Sequence, residues 1–132
     1  MNTVNAHTAL IDINKWLDYK RIKPNKRENY TDQIEALTAA IEDGSLVLNN
    51  DYTLTLNLEV PTEGEPGISQ LKFAPRLTVG QIHAQMNGVK STDADARLIA
   101  MVAALTSMPK GVINKLDTGD YGICQNIALF FL

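Results

Sequence analysis

The chain has 132 residues, of which 45% are apolar, 20% charged and 6% aromatic, and its formal net charge is −3. This size and composition are typical of one globular domain that forms its core without disulfide bonds, and the single cysteine, Cys124, excludes an internal disulfide. The longest apolar run, residues 98–105, is far shorter than the roughly 20 residues of a membrane helix, and residues 1–5 lack the pattern of a secretion signal, so we expect a cytoplasmic protein that does not interact with membranes.

Two helices are predicted in the first third of the chain. The first has an apolar face at helical spacing, formed by Leu10, Ile13, Trp16 and Leu17. Pro24 ends this pattern, Thr31 and Asp32 offer an N-cap and an acidic first turn for the second helix, and Gly44 is expected at its C-terminal end. We therefore expect residues 1–45 to form a two-helix N-terminal extension.

Basic residues are concentrated in residues 15–27. This segment holds six of the twelve basic side chains and one acid, Asp18, so its net charge is +5 and the rest of the chain carries −8. Such segregation favours a polar contact surface. Three interpretations stay open: a solvated helix face, which the position of Trp16 on the apolar stripe favours; an acidic protein partner; and nucleic acid, which we expect least. The candidate contact residues are Lys20, Arg21, Lys23, Lys26 and Arg27.

The pattern changes to period two after residue 45. Leucines alternate with other residues in two runs, 46–48 and 54–58, and the Asn-Asn-Asp sequence between them is typical of a turn, so a β-hairpin is predicted. Residues 61–67 contain two prolines and two glycines and predict a loop. Ile68, Leu71 and Phe73 allow a third short strand.

Helical patterns return after Arg76. Thr78 is expected to cap a short helix that ends at Asn87-Gly88, Thr92 to cap a longer amphipathic helix, and Asp117 to cap the last helix. The complete pattern predicts an α+β fold, mostly helical, with a small central β-hairpin and a C-terminal helical bundle in a domain of residues 46–132.

The sequence contains no convincing catalytic constellation. His7 and His83 are far apart, no His or Cys pair has the spacing of zinc ligands, and no glycine-rich phosphate loop follows a strand. Cys124 lies on the apolar side of a helical pattern and is expected to be an inert core residue. We expect a protein that is not an enzyme and has no cofactor or metal.

The carboxyl end is unusually apolar. Residues 129–132 (LFFL) cover most of a helix circumference, so one copy of the chain is expected to bury only part of them. The alternatives are a buried terminal helix and an apolar patch that meets a partner or a second copy. The candidate contact residues are Tyr121, Ile127, Phe130 and Phe131, with Leu98 and Val102 as neighbours expected in the core.

Four segments together resemble a known family. They are residues 58–61 (LEVP), 68–80 (ISQLKFAPRLTVG), 104–109 (ALTSMP) and 112–121 (VINKLDTGDY). Their order and spacing over about residues 52–132 resemble the tail assembly chaperones of P2-like and Mu-like contractile-tailed phages. Ser107 replaces the glycine that is usual in this family, and residues 1–45 have no counterpart in it.

The resemblance implies a non-catalytic assembly factor. Such chaperones bind the tape measure protein in the host bacterial cytoplasm, keep it soluble, help the tail tube protein to assemble around it, and are absent from the mature virion. A small helical protein could cover apolar stripes of a rod by helix-in-groove packing, and many copies, together with self-association, would add avidity. The alternative function is a small nucleic-acid-binding regulator that uses residues 15–27.

Overall fold

The computed structural model describes residues 3–64 and 67–131. The helices are α1 (Ala6–Tyr19), α2 (Pro24–Arg27), α3 (Thr31–Glu42), α4 (Val79–Met86), α5 (Ala94–Thr106), α6 (Lys110–Ile113) and α7 (Thr118–Ala128), and the strands between α3 and α4 are β1 (Leu46–Leu48), β2 (Leu54–Asn57) and β3 (Gln70–Phe73). Two 3-10 turns, Glu28–Tyr30 and Leu129–Phe131, precede α3 and follow α7. The predicted mostly helical α+β fold is confirmed. No helix in these ranges is long and apolar enough to span a membrane.

The three strands form one antiparallel sheet in the order β1-β2-β3, so both the hairpin and the third strand are confirmed. Leu46 pairs with Leu56, and Leu54 pairs with Phe73, which places the buried side chains on one face of the sheet. The N–H of Asn49 donates to the carbonyl of Thr53 at 2.9 Å to close the hairpin. The residue with positive φ in this turn is Tyr52, at 65°.

The core face of α1 differs from the prediction by one position. Leu10 is 46% exposed, whereas Ala9 is fully buried beside Ile13, Trp16 and Leu17. A spacing of three and four residues fits both stripes, so helical periodicity alone does not decide whether Ala9 or Leu10 is buried.

The helix ends test the local predictions one by one. Thr78 caps α4 in a capping box with Gln81, and Asp117 caps α7, as expected. Gly44 follows α3 with a φ of 85°, also as expected. Thr31 does not cap α3, because its hydroxyl donates to the carbonyl of Glu28 in the preceding 3-10 turn.

Asp93, not Thr92, caps α5, and its carboxylate accepts from the N–H of Ala96 at 3.0 Å. The second half of α5, residues 100–106, is buried on every side, so α5 is the central helix. It ends at Ser107, whose φ of 54° is in the left-handed region.

A single hydrophobic core joins both ends of the chain. It contains residues from α1 and α3, from all three strands, and from α5 and α7. Residues 1–45, expected as an extension, therefore contribute to the same core as residues 46–132. The α3 helix lies against both α1 and α7 and links the two parts.

Candidate functional site

Two of the four predicted contact residues at the carboxyl end are interior. Ile127 is 0% exposed and Phe130 is 7% exposed, which corrects the expectation that these two side chains face a partner. Phe130 meets the ring of Trp16 edge-on at 5.4 Å and the ring of Tyr30 at 4.8 Å. The expectation failed because it left out the N-terminal helices, which provide this cover. Leu132 lies outside the described residues.

Phe131 is half-buried, and its ring is covered by a cation from the basic segment. The Nζ of Lys20 lies 3.3 Å from the ring centroid of Phe131 and 5.6 Å from that of Trp16. Burial, and then repulsion by Arg76, lowers the pKa of Lys20 to about 8. The structure thus brings Lys20, from the basic candidate set, into contact with Phe131, from the apolar candidate set. Nothing in the sequence indicated that the two sets meet.

A second stack lies beside Lys20. The rings of Tyr19 and Tyr52 are parallel within 6° and 4.1 Å apart, and the guanidinium of Arg76 lies 4.9 Å from the ring of Tyr19. Arg76 also donates to the backbone carbonyl of Tyr19 at 2.9 Å. Sequence reasoning missed Tyr52 and Arg76, since they come from segments distant from Tyr19 and share no motif with it.

We refer to Tyr19, Lys20, Tyr52, Arg76 and Phe131 as the cation–aromatic patch. It lies where the end of α1, the hairpin turn, the segment after β3 and the carboxyl end converge. Cations over aromatic faces are attracted by the ring quadrupole, which fixes their positions.

The other basic candidates divide into structural and exposed residues. Arg27 donates to the carboxylate of Asp18 at 2.6 Å and to the carbonyl of Ile22 at 2.9 Å, so it ties α2 to α1. Arg21, at the end of α1, has a φ of 60°. Arg21, Lys23 and Lys26 are exposed.

Tyr121, the remaining member of the apolar candidate set, lines a groove between α5, α6 and α7. The cavity has a volume of about 220 Å³. Its apolar lining is Ile99, Ile113, Leu116 and Tyr121, and its polar lining is Asn114 and Thr118. Ile99, Leu116 and Tyr121 are half-exposed. We call this cavity the α5–α7 groove.

Asp120 fixes the helical turn that carries Tyr121. Its side chain is 2% exposed, and its two carboxylate oxygens accept from the backbone N–H groups of Glu59 and Val60, at 3.0 Å and 3.1 Å. A carboxylate in the first turn of a helix is also favoured by the helix dipole. Asp120 therefore joins the start of α7 to the segment that follows β2.

Cys124 is fully buried, as expected, and burial, reinforced by the charge of Asp120, raises the pKa of its thiol to about 12. It is therefore a poor nucleophile. Within residues 3–64 and 67–131, no group of three His, Cys, Asp or Glu side chains could hold a metal ion.

Comparisons of the chain with protein families, with curated proteins and with solved structures find no match.

Proposed function

We propose that this chain is a tail assembly chaperone of a contractile-tailed phage, which binds the tape measure protein without catalysis. The proposal includes self-association along the tape measure, an indirect contact with the tail tube protein, action in the host bacterial cytoplasm, and absence from the mature virion. Its starting point is the sequence resemblance over residues 52–132.

The α5–α7 groove carries the proposal. Three of its apolar lining residues, Ile113, Leu116 and Tyr121, belong to the VINKLDTGDY segment of the resemblance, and Ile99 lies on the helix before it. At about 220 Å³ the groove is below the usual 300–1,000 Å³ of small-molecule sites. Its size suits one or two apolar side chains, such as those that an amphipathic rod presents at helical spacing.

Ser107 gives independent support. The family pattern has a glycine at this position, and the φ of 54° here is the backbone conformation that glycine adopts most readily. The glycine that is usual in the family and the left-handed backbone of this chain thus fall at the same position, the end of α5. The first comes from the sequence resemblance and the second from the structure.

We place the proposed contact at the groove instead of at the carboxyl end. Ile127 and Phe130 are interior, so the partner would contact Ile99, Leu116 and Tyr121. One groove per copy buries little area, and several copies along one rod would supply the avidity.

The test is co-expression with the tape measure protein, which the proposal expects to be a long helical protein encoded nearby in the same genome. We expect that protein to stay soluble with the wild-type chain and to aggregate with a Leu116→Gln, Tyr121→Ser double variant. The matched control is Val79→Gln, which also replaces an apolar side chain by a polar one but lies on α4, is 73% exposed and is outside the groove. If the folded double variant protects the partner as well as the wild type does, the proposed contact is wrong.

A further inference from the structure

In the part of the chain that the structure describes, Lys20 and Arg76 are two neighbouring cations without a counter-charge. Within the described residues the one ion pair is that of Arg27 with Asp18, so neither Lys20 nor Arg76 has a carboxylate within 4.0 Å. Their mutual repulsion contributes to the lowered pKa of Lys20. Like charges held close together raise the energy of the folded state, and a bound anion would lower it.

The rings orient both cations and leave donors free. Arg76 lies over Tyr19 and uses one terminal nitrogen to donate to the Tyr19 carbonyl, which leaves other N–H groups of its guanidinium fork available. Lys20 lies over Phe131 and has three N–H donors, none of them in a hydrogen bond with a described residue. Two oriented cations of this kind suit a carboxylate or a phosphate oxygen pair.

The local backbone is strained on both sides of the patch. Tyr52 and Arg21 have φ values of 65° and 60°, and they are two of the three non-glycine residues with positive φ in the described part of the chain. Tyr52 adopts this conformation where its ring stacks on Tyr19, and Arg21 adopts it directly after Lys20. Strained residues of this kind concentrate at binding sites.

The aromatic faces of the patch are already occupied, and this favours an acidic peptide over a nucleic acid as the ligand. Single-stranded nucleic acids bind by stacking bases on aromatic faces. Here Tyr19 has Tyr52 on one face and Arg76 on the other, while the cation of Lys20 covers Phe131. The chain outside residues 15–27 is also strongly acidic, which disfavours a long polyphosphate.

We propose that the cation–aromatic patch is a docking site for an acidic peptide segment of a protein partner, with a Glu or Asp carboxylate held between Lys20 and Arg76. Charge complementarity argues for this occupant, since Arg21, Lys23 and Lys26 add exposed positive charge in the same segment. The site is separate from the α5–α7 groove and does not depend on the tape measure proposal.

The test uses three probes at low ionic strength: a short glutamate-rich peptide, the same peptide with Gln in place of Glu, and an oligothymidylate of equal length. Binding is measured by calorimetry, and the emission of Trp16 reports the location, because this single tryptophan lies 5.6 Å from the Lys20 Nζ. We expect the Glu peptide to bind and to change the Trp16 emission, and the Gln peptide to do neither.

Charge-removing variants then assign the site. A Lys20→Met, Arg76→Met double variant keeps the aliphatic stems over the rings, and we expect it to bind the Glu peptide at least about tenfold more weakly, the equivalent of about 1.4 kcal/mol. The control is Lys90→Met, an exposed lysine in the loop between α4 and α5. Thermal melts establish that each variant is folded.

Three results would overturn the proposal: no binding of the Glu peptide to the wild type, equal affinity of the folded double variant, or tighter binding of the oligothymidylate that the same double variant abolishes. The last result would identify a nucleic-acid site instead. None of these results bears on the groove variants, so the two proposals fail independently.

Discussion

At the scale of single residues, the environment of Lys20 in the patch makes the stability of the protein depend on pH. Burial and the charge of Arg76 lower its pKa from the ordinary value of 10.5 to about 8. Because the folded pKa is the lower one, the unfolded chain binds more protons between pH 8 and pH 10.5. The resulting penalty on the folded state is complete below about pH 8 and disappears as the pH rises toward 10.5.

We therefore predict that the free energy of unfolding of the wild type, minus that of Lys20→Met, increases between pH 7 and pH 10. The increase should be on the order of 1 kcal/mol, because the partial exposure of Lys20 reduces the full effect. Urea denaturation at several pH values measures it. Tyr121 and Cys124, whose pKa values are raised, are present in both proteins and cancel in the difference. A difference that does not change with pH would contradict this role of Lys20.

Ser107 provides a second prediction at this scale. A non-glycine residue in the left-handed region costs about 1 kcal/mol relative to glycine, so Ser107→Gly is expected to stabilise the chain by up to about 1 kcal/mol. Ser91→Gly, outside the helices, is the control, since Ser91 has no positive φ and the added chain freedom should be neutral or slightly destabilising. Thermal denaturation of both variants measures the effect, and equal shifts would argue against strain at Ser107.

At the scale of elements, the sequence predicted the helix ends that depend on residues within one turn of the helix. The caps Thr78 and Asp117 and the terminal Gly44 act within one turn of their own helix, and each is where the sequence indicated. The prediction that Thr31 caps α3 was wrong, because a 3-10 turn leads directly into that helix. The hydroxyl of Thr31 instead donates to the carbonyl of Glu28. Periodicity alone does not decide whether Ala9 or Leu10 lies in the core, because both positions fit the same helical spacing.

Asp120 links α7 to the segment that follows β2. Asp117, three residues earlier, offers a matched control for its substitution. Asp120→Asn leaves one oxygen to accept from the two N–H groups of Glu59 and Val60, so we expect a loss of about 2 kcal/mol in the free energy of unfolding. Asp117→Asn also removes one negative charge, but asparagine caps helices as well as aspartate does, and we expect a change of only a few tenths of a kcal/mol. Denaturant titrations compare the two, and similar losses would mean that charge, not the paired N–H groups, determines the effect.

At the scale of the whole molecule, the sequence did not reveal that the first and last segments share one core. Trp16 and Tyr30 cover Phe130, and Lys20 covers Phe131. Each segment by itself has surplus apolar surface, which is why the carboxyl end looked like a contact site. Pairings between distant segments carry no local signature, and the cation–aromatic patch was missed for the same reason. The groove was anticipated only through Tyr121.

The shared core predicts that residues 46–132 do not fold cooperatively without residues 1–45. Removing α1 and α3 exposes α7 and one face of the sheet, and the lost burial far exceeds the few kcal/mol by which small domains are stable. Circular dichroism and urea denaturation of the fragment measure this, and adding residues 1–45 as a separate peptide should restore part of the structure. A fragment that unfolds cooperatively by itself would restore the interpretation of residues 1–45 as an extension.

The central proposal is that a helical rod contacts this protein at the α5–α7 groove. The most direct measurement is hydrogen exchange and methyl NMR on the complex with the proposed tape measure partner, compared with the free chain. We predict methyl shifts at Ile99 and Leu116, slower amide exchange at Tyr121, and no change at Val79. Unchanged signals at all three groove residues in a complex that has formed would contradict it.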